Sequence, residues 1–238
     1  MQRILMADEF IKISYFSPTK ISRQNIVMAM SYAAQKYARG NMLDVGCGSK
    51  PYQPIYQPYV DTYFGIDYPP TATINYGEKT RADLFVDCTD TKFEANSYDT
   101  ILSTQVIEHI YDTKKYVAEC YRILKKGGIG IFTIPFLWQC HAEPYDYYRF
   151  TKYAIERLFR EQAFEILELR PLEGAYAAIA QTKITSLYLM PTQCILTKLL
   201  QKILILSYIP ILNYFALHFD KYLYNDKLSL NNLLIVKK

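Results

Sequence analysis

Short, unbroken apolar runs recur along this chain with helix-patterned stretches between them, and that alternation most restricts what it can fold into. The runs lie at residues 42–45 (MLDV), 63–67 (YFGID), 84–87 (LFVD), 100–103 (TILS), 129–135 (IGIFTIP) and 164–170 (FEILELR). Strands with one wet face alternate polar and apolar, whereas continuous apolar runs suit strands covered on both faces of a parallel sheet. Between them, residues 21–38 place Ile26, Val27, Met30, Ala33, Ala34 and Tyr37 at helical spacing, with a stop at Gly40. Residues 113–124 (TKKYVAECYRIL) carry a stripe of Tyr116, Val117, Cys120 and Leu124, with Gly127-Gly128 expected to end the helix. A further helix is read in TKYAIERLFREQA, and the closing LNNLLIVKK reads as a strand. The pattern predicts a doubly wound α/β domain whose ligand site lies beyond the carboxyl ends of its strands.

At 238 residues, half of them hydrophobic, one domain is expected. Its parts are a helical region at 1–40, a core at 41–170, an apolar helical insertion at 171–226 and a last strand at 227–238. Lys and Arg number 27 against 23 Asp and Glu, too even for a dedicated nucleic-acid binder. The excess is local: from Ala175 onward there are seven basic residues and two acidic ones. The five cysteines are scattered, with no CxxC pair, which suggests neither a zinc site nor a disulfide framework and fits a reducing cytosol. No metal site is expected. The first 16 residues have acids at Asp8 and Glu9 and no long apolar run, unlike a secretory leader.

The chemistry gathers at the strand tips. The stretch LDVGCGSKP ends a strand on Asp44 and turns through Gly46 and Gly48, where the backbone can approach a ligand and turn amides can bind an anion. A dinucleotide fingerprint would need glycine at position 51, which is Pro51, so a nicotinamide or flavin site is disfavoured. Asp67 ends the next strand, 21 residues after Gly46, near the spacing at which an acid accepts both hydroxyls of a ribose. Asp87 ends the third, placed to take an exocyclic amine. Three acids on successive strand tips beside a glycine turn indicate one shared ligand.

LDVGCG, FGID, DLFVDCTD, SYDTILSTQVIEHI and RILKKGGIGIFTIP, in that order, resemble the class I S-adenosylmethionine-dependent methyltransferases. The resemblance covers roughly residues 40–170 and the last strand. It implies a Rossmann-like, mostly parallel seven-stranded sheet and S-adenosylmethionine as cofactor. By that likeness Asp44 with Gly46, Cys47, Gly48 and Ser49 would hold the methionine end, Asp67 and Tyr68 the ribose, and Asp87 with Cys88 the adenine. Ser103, Thr104 and Gln105 would line the floor beside the sulfonium. Lys50 stands where the commonest pattern has a third glycine.

The segment HAEPYDYYRFT (141–151) resembles one in bacterial methyltransferases encoded with surface-polysaccharide and lipid-modifying enzymes. His141 is the candidate base for a hydroxyl acceptor, since imidazole titrates near neutral pH, with Glu143 second. His109, Asp146, Tyr147 and Arg149 are candidates for binding the acceptor. The competing reading makes the block structural, with Arg149 paired to Asp146 and Thr151 capping a helix. The expected activity is methyl transfer, chiefly to oxygen, on a saccharide, lipid-linked glycan or small apolar metabolite. The alternatives are a quinone-type acceptor or a non-catalytic binding module. A nucleic-acid acceptor is disfavoured because the fourth tip reads STQVIEHI and not an Asn/Asp-Pro-Pro-aromatic block.

The most apolar stretch is residues 194–217. Its uninterrupted part, 203–217, is too short to cross a bilayer, and Lys198, Lys202 and Pro210 are expected to break the longer run. That leaves an interfacial anchor meeting anionic headgroups, a lid, or a homodimer face. The expected location is cytoplasmic, at the inner face of a membrane if the anchor reading holds.

Overall fold

The computed structural model describes residues 13–69 and 79–238; the reading of the first residues as no secretory leader lies mostly outside them. In chain order the elements are α1 (Lys20–Tyr37), β1 (Asn41–Val45), a single-turn α2 (Gln53–Tyr56), β2 (Thr62–Asp67), β3 (Leu84–Phe85), β4 (Tyr98–Thr104), α3 (Thr113–Ile123), β5 (Leu124–Pro135), α4 (Lys152–Glu161), β6 (Glu165–Pro171), α5 (Ala175–Tyr188), α6 (Ile195–Phe219) and β7 (Asn231–Lys237). Among the described residues the strands form one sheet in the order β3-β2-β1-β4-β5-β7-β6.

The pairs β1·β2, β1·β4, β2·β3 and β4·β5 are parallel. β7 runs the other way. Gly127 N–H donates to Lys238 O and Lys238 N–H to Gly128 O, while Gly130 lies against Val236, so residue numbers rise along β5 as they fall along β7. Order reverses between β1 and β4, and the registers Val45↔Ile66 and Val45↔Ser103 bring three strand tips to one edge. That is the switch point at which doubly wound sheets bind ligands.

The strands are apolar because both faces are covered: Leu43, Val45, Ile101, Ile131 and Ile134 are at most 1% exposed. Each such side chain contributes roughly 1.5–3 kcal/mol by leaving water. α3 lays Tyr116, Val117, Cys120 and Ile123 on this core and is capped by Asp112, which accepts from Lys115 N–H. α4 buries Ile155, Leu158 and Phe159 and is capped by Thr151, which accepts from Ala154 N–H.

Two expectations are corrected. Gly127-Gly128 does not end α3: the helix stops at Ile123, Leu124 is already extended, and β5 runs through the glycines. Between the pairs Tyr98↔Leu124 and Thr100↔Ile129 the partner strand carries extra residues, a bulge that Gly127 accommodates at φ +77°. Nor do Lys198, Lys202 and Pro210 break the apolar stretch, which is one 25-residue helix, α6. At 1.5 Å per residue its length is about 37 Å, enough to span a bilayer by length alone.

The chain divides into two compact units, residues 29–170 with 232–238, and residues up to 28 with 171–231. The first holds the strand tips. In the second, α5 packs along α6, and Asp220 caps α5 by accepting from Gly174 N–H (2.7 Å) and Ala177 N–H (3.0 Å). Asn213 reaches from α6 to the carbonyls of Tyr15 and Ser17. Glu173 is fully buried and accepts from Asn231 N–H (3.0 Å).

Candidate active site

Beyond the tips of β1, β2 and β4 lies a cavity of about 510 Å³, a size suited to a small organic ligand. One end is lined by Gly46, Cys47, Asp67, Tyr68, Asp87, Cys88, Thr104 and Gln105, the other by His109, Tyr111, His141, Tyr145 and Tyr147.

The glycine turn is built differently from expectation. Gly46 N–H and Cys47 N–H both donate to Ile66 O (2.9 and 3.0 Å), and Gly48 N–H donates to Asp67 Oδ2 (2.8 Å). These amides face protein and are not offered to an anion. The turn still demands glycine: Gly46 sits at φ +70°, and a Cβ there would stand 2.4 Å from Val106 Cγ2. Lys50, in place of the third glycine, adopts φ +55° and sends its ammonium to Asp83. Its Cε fills the space a side chain at Gly65 would take.

Asp67 is oriented by Gly48 N–H on one oxygen and Tyr68 N–H (2.8 Å) on the other. Burial pushes its pKa up, and those two amides pull it back. Asp87 Oδ1 accepts from Thr89 N–H and Oγ1–H, both 2.8 Å. Asp44 stands behind the turn, 1% exposed and outside the cavity lining. Tyr63 Oη–H donates to its Oδ2, while Oδ1 has no hydrogen-bond partner among the described residues. Burial drives its carboxyl up to about 7 despite Tyr63 and the nearby Lys50. Asp44 therefore stands beneath the turn, away from the cavity lining. Gly48 and Ser49 are likewise outside the lining, as is Ser103, whose Oγ accepts from Tyr116 Oη–H at 2.7 Å inside the core.

At the other end, His109 follows Glu108 in a 3-10 turn (Ile107–His109) after β4. The strap 139–149 is stitched to this turn, because Tyr147 N–H and Tyr148 N–H donate to Glu108 O (2.9 and 3.3 Å). Arg149 grips Asp146 with two bonds of 2.7 Å and also donates to the carbonyls of Trp138, Gln139 and Tyr148. Asp146 additionally accepts from His141 N–H (2.9 Å). Burial would raise its pKa, yet Arg149 and that amide hold it down at about 2. Asp146 and Arg149 thus fasten the strap and do not line the cavity, as the structural reading of this block has it; Thr151 caps α4. Glu143 is exposed and outside the lining, so it is not placed to assist as a base. His141 and Tyr147 do reach the cavity, and the His141 ring meets that of His109 edge to face at 4.7 Å.

Sequence reasoning missed Val106, Tyr111 and Asp112 in the lining, and the buried Glu108. Only Glu108 had a legible signal, as an acid followed directly by a histidine within the otherwise apolar VIEHI.

The cavity fits the cofactor of the resemblance: an oriented acid on β2, a second acid beyond β3, and a turn where no side chain can intrude. Residues 43–132 match the methyltransferase domain family. This stretch is a class I methyltransferase domain. A Mycolicibacterium smegmatis protein named "probable S-adenosylmethionine-dependent methyltransferase" is 26% identical over 104 residues, covering 43% of this chain. The match spans only 40% of that relative's length. Among solved structures, the methyltransferase bound to the Haloferax volcanii Trm112 activator superposes with a TM-score of 0.55 at 17% identity, covering 88% of each chain. An Archaeoglobus fulgidus SAM-dependent methyltransferase gives 0.53 at 12% identity, covering 89% of this chain and 93% of that one. The [4+2]-cyclase SpnF gives 0.55 at 16% identity, covering 91% and 80%. At such identities these likenesses show the fold alone. The methyltransferase domain is of the class that takes S-adenosylmethionine.

Proposed function

We propose that this chain transfers a methyl group from S-adenosylmethionine to an oxygen of a saccharide, lipid-linked glycan or small apolar metabolite. The observation that supports this most is one continuous cavity with carboxylates of the strand tips at one end and two histidines among tyrosines at the other. When bound, S-adenosylmethionine supplies a methyl already activated on a sulfonium. Asp67 would accept the ribose hydroxyls, Asp87 and Cys88 would take the adenine edge, and Gly46, Cys47, Thr104 and Gln105 would bound the methionine side. The protein's remaining task is to align an acceptor oxygen and exclude water.

His109 is placed to help with the acceptor's proton. Its Nδ1–H donates to Tyr145 O (2.7 Å), so Nε2 carries the lone pair. Burial lowers its pKa, which favours the neutral ring. The Tyr111–Tyr147 pair, ring centroids 5.5 Å apart, favours a second reading in which the acceptor is a flat quinone-type ring.

The reading extends to a membrane-bound acceptor at the cytoplasmic face. The first half of α6 is exposed, Ile195 at 86% and Leu196 at 73%, and Leu199, Leu200, Ile203 and Leu206 continue the surface. Lys183, Lys198, Lys202 and Lys221 are exposed, while Asp220 is turned inward to cap α5. Apolar surface with exposed lysines complements an anionic lipid surface. Because Ile209, Asn213 and Ala216 are buried within their own unit, α6 suits lying on the bilayer better than crossing it.

Calorimetric titration with S-adenosylmethionine tests the cofactor assignment. Binding is expected in the intact protein and at least about 10-fold weaker in Asp67→Ala, the loss of charge-assisted hydrogen bonds. No binding by the intact protein removes the enzyme reading in favour of a non-catalytic module. Sedimentation with anionic vesicles tests the membrane contact; a protein that stays in solution and dimerises would make α6 a dimer face.

A further inference from the structure

We propose that Glu108, His109 and His141 form a divalent-cation site at the acceptor end of the cavity, which takes the acceptor's oxygen as a further ligand. One donor atom from each of the three lies within 4.8 Å of the others. Glu108 is 0% exposed, and neither carboxylate oxygen has a hydrogen-bond partner among the described residues. A carboxylate so placed is costly as a lone anion and is relieved either by taking up a proton or by a cation; two imidazole nitrogens within reach make this a place for a cation. Arg149 does not serve, because Asp146 already holds its guanidinium by two bonds.

Both imidazoles are set as metal ligands are. His109 Nδ1–H donates to Tyr145 O, which leaves Nε2 bearing its lone pair 3.8 Å from Glu108 Oε1. His141 Nδ1 lies 3.3 Å from Gln139 O and 3.4 Å from Asp146 Oδ2, the same pattern of a ring nitrogen held by backbone and carboxylate oxygens. Such outer partners fix the tautomer and orientation of metal-bound histidine. The bonds from Tyr147 and Tyr148 to Glu108 O clamp the strap to the turn, so donors from two separate segments are presented together. Donors on one ion at about 2.0–2.1 Å stand about 3.4 Å from each other, so modest side-chain rotation closes the set.

Two imidazoles and a carboxylate select a transition-type divalent ion such as Zn²⁺, Mn²⁺ or Fe²⁺ over Ca²⁺. Three protein donors leave coordination positions open, and His109 and His141 line the cavity. With the ion bound, His109 Nε2 would be a ligand and not a base; an acceptor hydroxyl held there would release its proton to solvent, and its oxygen would form the new O–CH3 bond as the methyl–sulfur bond breaks and S-adenosylhomocysteine leaves. This use rests on the reading of the cavity as a methyl-transfer site; the binding of the ion does not.

The test is titration of chelator-treated protein with Co²⁺, followed by its visible absorption, and with Zn²⁺ by calorimetry. One ion per chain is expected, with imidazole-type bands and no thiolate charge transfer. Binding should weaken at least 100-fold in both His109→Ala and Glu108→Gln, while S-adenosylmethionine titration, which judges the cofactor reading separately, shows that the variants remain folded. Methyl transfer should fall on chelation and return with added ion. Overturning results are an intact protein that binds neither ion at micromolar concentration, variants that bind as well as the parent, or turnover indifferent to removal of the ion.

Discussion

At the residue scale, the site depends on groups that cannot be exchanged for near neighbours. Gly46→Ala would force a side chain into left-handed backbone and into Val106; we expect a loss of stability of more than about 1 kcal/mol and loss of cofactor binding, checked by thermal melts and titration. Tyr63→Phe would leave both oxygens of Asp44 unpartnered, and a destabilisation of about 1–3 kcal/mol is expected in denaturant melts. The three strand-tip acids were legible because strand ends and glycine turns leave a local mark in sequence. Their unequal fates were not. Asp67 and Asp87 face the cavity, but Asp44 is hidden, since which side of a turn a carboxylate takes is decided by Tyr63 and Lys50, partners brought by folding. Lys50 itself was read as an irregularity, yet it takes the left-handed conformation and ties the turn to Asp83.

At the scale of elements, all seven strands and the main helices were legible, since two-sided burial and amphipathic stripes are written in consecutive residues. The end of α3 was not: Leu124 fits the helical stripe as well as the start of β5, and only pairing with Tyr98 places it in the sheet. The strap 139–149 was open to two readings because Asp146 and Arg149 carry the chemistry of a binding site and of a brace alike. Arg149→Lys keeps the charge but loses the fork that holds two oxygens and three carbonyls. It should raise the KM for the acceptor while leaving S-adenosylmethionine affinity within about threefold, measured by steady-state kinetics and calorimetry. For α6, Leu199→Glu with Leu206→Glu should weaken sedimentation with anionic vesicles at least about 10-fold without altering cofactor affinity.

For the whole molecule, stability should depend on pH in an unusual direction. Burial raises Glu173 to about 8 and Asp44 to about 7, from ordinary values of 4.5 and 3.8. The folded chain then retains protons that the unfolded chain releases, so the stability these groups contribute is full below the ordinary values and lost as pH rises through the raised ones. Asp146 and Glu168, both held down at about 2, act oppositely and lose their contribution only in stronger acid. The melting temperature of the ligand-free protein is therefore expected to peak in mild acid, near pH 5, and to decline towards pH 8; Glu173→Gln should flatten that decline. A flat profile from pH 5 to 8 would refute the assignment. The position of β7 carries a consequence for biosynthesis. β5 and β6 emerge from the ribosome long before residues 231–237, yet in the sheet neither pairs with the other, because β7 lies between them. Through the synthesis of some sixty intervening residues β5 keeps one edge unpaired, and β6, whose only neighbour in the sheet is β7, has no strand to pair with until β7 arrives.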